Sequence, residues 1–139
     1  MCIYATSHEE ERRRGVILFE SDSHSYRYDM ELAMTEAQKK RGLMFREQLL
    51  PQTGMLFYYQ KAQKVGIWMK NTRITLDILF ITCNDRIEKI IHSRQPGNLI
   101  PVFSDNKVCY VAEIAAGDAK NMKLDVGDKV VIKASGVSQ

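Results

Sequence analysis

Two carboxylates stand where a charge is expensive. Asp77 lies between Leu76 and Ile78 in the apolar run from Ile74 to Thr82, and Glu113 holds the same kind of place in the run from Val108 to Ile114. An ionised group among residues that want the core must be edge-exposed, paired or functionally perturbed. As a pair, Asp77 and Glu113 are candidates for general acid and base, which suits a hydrolase or lyase acting on carbohydrate-like substrates. The stronger reading is structural: Asp77 or Glu113 pairs with Arg41, Arg46 or Lys70 in a fixing network. Asp77 is therefore expected to be at least half shielded, with Lys70, Asn71, Arg41 and Arg46 the favoured donors.

The segment Trp68-Met69-Lys70-Asn71-Thr72 is the best candidate site. At period two, Trp68 and Lys70 share one strand face and Met69 takes the other. An indole beside ammonium and amide donors can hold a sugar or an anionic group. The plainer reading makes Trp68 core, lets Lys70 snorkel and leaves Asn71-Thr72 to fix a turn. With the residues above, the expected pocket lining is Arg41, Trp68, Lys70, Asn71, Asp77 and Glu113, and the expected ligand is a small polar molecule.

Other chemistries find little support. Cys2, Cys83 and Cys109 show no ligand spacing, so a zinc knuckle is excluded. Cys83 and Cys109 fall in apolar runs and are expected either as two buried free thiols or as one bridge, with Cys2 bonded to neither. His8, His24 and His92 are scattered, and Met44, Met55 and Met69 lack accompanying His or Cys, so core packing outweighs a soft-metal site. No glycine-rich phosphate loop or nucleophile elbow is present, so no cofactor is expected. The 139 residues carry 20 Lys+Arg against 17 Asp+Glu, a net charge of +3 spread along the chain. The run Glu9 to Arg14 neutralises itself, which argues against nucleic-acid binding. No stretch approaches the roughly 20 apolar residues of a membrane span, and no leader peptide is visible.

The elements that must position these residues are mostly strands. A polar segment, residues 1–14, precedes a single β domain, residues 15–139. Gly15 to Glu20 reads as a strand, and Tyr26 to Leu32 alternates strictly between apolar and polar. Thr35 to Gly42 reads as a two-turn helix. Thr35 and Gln38 form a capping box, Lys39, Lys40 and Arg41 complement the dipole, and Gly42 marks the stop. Leu43, Met44 and Phe45 then drop into the core. Strands follow at Met55–Tyr59, Val65–Lys70, Ile74–Thr82, Ile87–His92, Val108–Ile114 and Lys129–Lys133. Residues 83–86 form a hairpin loop, residues 93–106 a longer one, and Asp118 caps a short helix through Met122. This pattern argues a mainly β fold: an antiparallel β-sandwich or barrel, jelly-roll-like, with two short helices.

Six motifs in order carry a resemblance. They are Arg41-Gly42-Leu43-Met44-Phe45-Arg46, Gly54-Met55-Leu56-Phe57, Trp68 to Thr72, Leu76 to Ile81, Tyr110-Val111-Ala112-Glu113 and Val126-Gly127-Asp128-Lys129-Val130. From about Leu32 to the last strand the chain resembles the prokaryotic domain-of-unknown-function family 192. The resemblance implies a small mainly β domain, commonly exported behind a signal peptide or lipoprotein leader, so that an envelope protein is the alternative partner. It implies no established activity, so no catalytic residue carries over. Thr75 stands where a proline is usual, residues 83–86 replace an acidic-glycine turn, and residues 95–101 lack the cysteine pair common in relatives.

Overall fold

The computed structural model describes residues 13–134. Cys2, His8 and nearly all of the polar N-terminal segment lie outside the described residues. The strands are β1 (Arg14–Ser21), β2 (His24–Ala33), β3 (Thr53–Gln63), β4 (Gly66–Ile67), β5 (Leu76–Ile81), β6 (Ile87–Arg94), β7 (Val102–Phe103), β8 (Val108–Ala115) and β9 (Val130–Ala134). Among the described residues two helices, α1 (Glu36–Arg41) and α2 (Asp118–Asn121), complete the set.

Local chemistry decides the first third of the chain. Alternation in β2 buries Tyr28, Met30 and Leu32 on one face. The helix α1 starts on a capping box: Gln38 N donates to Thr35 Oγ1 at 3.0 Å, and Thr35 N donates to Gln38 Oε1 at 3.1 Å. It stops at Gly42, whose φ of +50° suits glycine and whose N–H reaches Gln38 O at 2.9 Å. A Cβ there would also approach the Phe57 ring to 3.2 Å.

One seven-stranded sheet runs β6-β5-β8-β3-β2-β1-β9, and β4 pairs with β7 beside it. The fold is mainly β and sandwich-like, as expected, but the sheet is mixed. β2 and β3 are parallel because α1 and the chain after it carry the backbone back to the same end. The sheet curls until Arg86 bridges Lys129 at its two margins, without closing into a barrel. Its inner face packs Phe19, Met30, Leu32, Leu79, Ile81, Ala112 and Ile114 with Ala119, Met122 and Leu124 of the α2 region. The outer face of β3, β5 and β8 buries Met55, Phe57, Ile78, Phe80 and Val111 under Leu43, Val65, Ile67 and Met69. Two apolar layers therefore lie on opposite faces of one sheet.

Several expectations are corrected here. Residues 65–70 are extended with alternating burial, but only Gly66 and Ile67 pair with another strand. β3 runs on to Gln63, through what reads as a polar link, past a register shift after Tyr58. The loop from 93 to 106 contains β7. Phe45 is 49% exposed, because its backbone turns to φ +67° and the side chain leaves the core that Leu43 enters. Cys83 and Cys109 form a disulfide, yet Cys83 is exposed in the hairpin turn rather than buried in a strand. Among the described residues no helix is long and apolar enough to cross a membrane.

Gly54 sets how closely β3 and β8 approach. A Cβ on it would meet the Glu113 carbonyl oxygen at 2.2 Å, a backbone atom in a paired strand that has nowhere to go. Gly54→Ala is expected to cost at least the ~1–3 kcal/mol typical of overpacking. Chemical denaturation measures it, and a loss below about 1 kcal/mol would show that the strands part easily.

Candidate functional site

Glu113 and Asp77 do not meet. In the β5–β8 register Asp77 lies opposite Ile114 and Ile78 opposite Glu113. Side chains alternate across a strand, so Asp77 points with Leu79 and Ile81 to the inner face while Glu113 points with Val111 to the outer one. The sheet itself separates the two carboxylates. A general acid–base pair made from them is therefore excluded.

Asp77, fully buried, is a structural anchor. Its Oδ1 accepts from Ser93 N at 2.8 Å, and its Oδ2 accepts from Gly117 N at 3.1 Å and Ala119 N at 2.9 Å. It thereby caps α2 from a neighbouring strand. The expected Asp118 cap is replaced: Gly117, at φ +95°, is the N-cap and gives no side-chain bond. Asp118 instead accepts from Tyr28 Oη at 2.6 Å. Burial, then that hydrogen bond, pushes the Tyr28 phenol above its ordinary value. None of Lys70, Asn71, Arg41 or Arg46 reaches Asp77. Arg46 forms a two-pronged pair with Glu31 that fastens the segment after α1 to β2.

Glu113 is the reverse case. It is 4% exposed, and among the described residues no hydrogen bond or ion pair reaches its carboxyl. Burial pushes its pKa up to about 8. It forms part of the wall of a cleft of about 380 Å³, the size class of small-molecule sites. The C-terminal end of α1 gives this cleft Lys39, Lys40 and Arg41, the extended segment gives Ile67 and Trp68, and β3 gives Phe57 and Tyr59. Trp68 leaves 44% of its surface open, and Lys70 Nζ stands 5.3 Å from its ring centre.

Of the six residues expected to line a pocket, Arg41, Trp68 and Glu113 line this cleft together. Lys70 and Asn71 line a shallower hollow that continues from it past Arg41 and Trp68. Asp77 belongs elsewhere. Trp68 and Lys70 do share a face, although no strand imposes it. The turn that ends the segment, with Asn71 at φ +55°, is held by Phe45 N donating to Asn71 O at 2.8 Å and Gly97 N to Met69 O at 3.1 Å. Sequence reasoning missed Lys39 and Tyr59. Lys39 reads as a helix-dipole partner, yet its Nζ donates to Tyr58 O at 3.1 Å and stands 4.3 Å from the centre of the Tyr59 ring. Met55 and Met69 are packed in the outer layer, and Met44 borders the cleft.

The model of the DUF192 family, described as "Uncharacterized ACR", matches residues 17–132. A crystal structure of a candidate transcription regulator from Sinorhizobium meliloti 1021 is similar, with a TM-score of 0.85 and 31% identity over 91% of this chain and 97% of that one. A protein of unknown function from Novosphingobium aromaticivorans DSM 12444 is similar with a TM-score of 0.81 and 32% identity, over 84% of this chain and 83% of that one. No curated protein matches the chain.

Proposed function

The chain belongs to the DUF192 family, and we propose that it is a small-ligand-binding accessory domain whose site is the cleft over Glu113. One observation carries the reading: the largely shielded carboxyl of Glu113, hydrogen-bonded by no described group, lines an open cleft of ligand size. A carboxyl that the protein shields on most sides and leaves unpaired at a cleft is open to a partner from outside. Trp68 and Arg41 beside it supply a ring surface and a planar cation, the groups that orient small polar molecules.

An envelope setting is part of the proposal. The Cys83–Cys109 disulfide supports it, since such bonds persist where the surroundings are oxidising. A pocket-free interaction module is the second reading, favoured by the exposed Leu99, Ile100 and Phe103 on the loop beside β4.

Mapping amide resonances during titration with a small-fragment library tests the two against each other. Fragments are expected to shift Arg41, Gly42, Gly66, Trp68 and Glu113. Shifts confined to residues 99–103, or none anywhere, would count against a cleft ligand.

A further inference from the structure

Resting on that reading of the cleft, we propose that its ligand is a small ring-bearing carboxylate, with the anionic end held by Arg41 and Lys40 and a hydroxyl or carbonyl end on Glu113. The charges around the cleft decide the sign. From α1 come Glu36, Lys39, Lys40 and Arg41, from β3 comes Tyr59, and from β8 comes Glu113. Glu36 and Lys39 cancel in an ion pair at 3.2 Å. Among the described residues Lys40 and Arg41 have no ion pair, and Arg41 only faces the Phe45 ring at 5.7 Å. Lys70 adds a further cation in the adjoining hollow, 5.3 Å from the Trp68 ring centre.

Burial keeps Glu113 protonated at neutral pH, so it offers one O–H donor and an acceptor but no charge. The unbalanced charge is positive, and the complementary ligand end is an anion. A cationic ligand would meet the basic rim and would require Glu113 to ionise in a buried place. Trp68 with the apolar Phe57, Ile67 and Leu43 makes room for a flat body between the two polar ends. A carboxylate matches the guanidinium fork of Arg41 in two parallel hydrogen bonds.

The pH dependence has a definite sign. Below about 8 Glu113 is neutral and donates to the ligand. Above it, the side chain loses its O–H donor and adds a negative charge to a cleft that already holds the ligand carboxylate, so affinity falls as pH rises through that value, by up to about tenfold per unit.

Calorimetric titration of the purified protein with 4-(hydroxymethyl)benzoate and D-glucuronate, whose hydroxyls do not titrate in this range, each beside its neutral amide, tests the proposal. At least one acid is expected to bind at least about tenfold tighter than its amide at pH ~6.5 and to weaken by more than about tenfold at pH ~9.5. Glu113→Gln is expected to keep binding and lose the pH dependence. Arg41→Ala, a change at an exposed helix end, is expected to weaken the acid by about tenfold or more and leave the amide alone. Amides binding as tightly as acids, or Arg41→Ala binding normally, would overturn the carboxylate class while leaving a cleft ligand in place. No binding by any of the four would overturn both.

Discussion

Glu113→Gln is expected to stabilise the protein at neutral pH and above, and to leave it unchanged in acid. An ordinary glutamate titrates near 4.5, whereas burial raises this one to about 8. Its folded-state pKa is raised, so between those values the unfolded chain ionises while the folded chain holds its proton. Stability therefore declines as pH rises from about 4.5 and levels off near 8. At pH 7 the gap is about 2.5 units at ~1.4 kcal/mol each, which puts the gain at about 2–4 kcal/mol. Glutamine matches the shape of the protonated acid and never ionises. Urea denaturation of both proteins across pH 4 to 9 reads the difference, which is expected to open between about 4.5 and 8. Parallel curves would mean that Glu113 ionises as freely folded as unfolded.

Changes at Asp77 are expected to act oppositely. Three backbone N–H groups converge on its carboxylate, two of them at the start of α2. An asparagine in its place would turn an NH2 towards one of these donors, so at least one buried N–H loses its acceptor. Asp77→Asn is expected to cost about 2–4 kcal/mol, and Asp77→Ala more, because unsatisfied buried donors cost ~1–3 kcal/mol each. The change sits on the inner face, so resonances of Arg41 and Trp68 should not move. A melting temperature unaltered in Asp77→Asn would show that the anchor holds nothing.

What the sequence reveals divides along the same line. Thr35, Gln38 and Gly42 act on neighbours three or four residues away, so the ends of α1 are legible. Tyr28, Met30 and Leu32 announce a face because β2 is regular. Asp77 and Glu113 look alike in sequence, each a lone acid among apolar residues. Only the register that sets Asp77 against Ile114 separates an inner anchor from an outer site. The donors to Asp77 lie 16 to 42 residues away, and no local pattern marks them. Trp68 to Lys70 misleads differently. Extended chain lying on a core buries every second residue whether or not a neighbouring strand pairs with it, so alternation alone overstated the strand. Lys39 and Lys40 were legible as residues suited to a helix end, and that reading hid the cleft they border.

Ligand sign and stability both depend on an uncharged acid at Glu113, and titration of its side-chain carboxyl by carbon NMR reads that charge itself. The midpoint is expected near 8. A midpoint at the ordinary 4.5 would mean that the group is hydrated or paired, that the cleft holds an anion at neutral pH, and that no neutral donor awaits a ligand there.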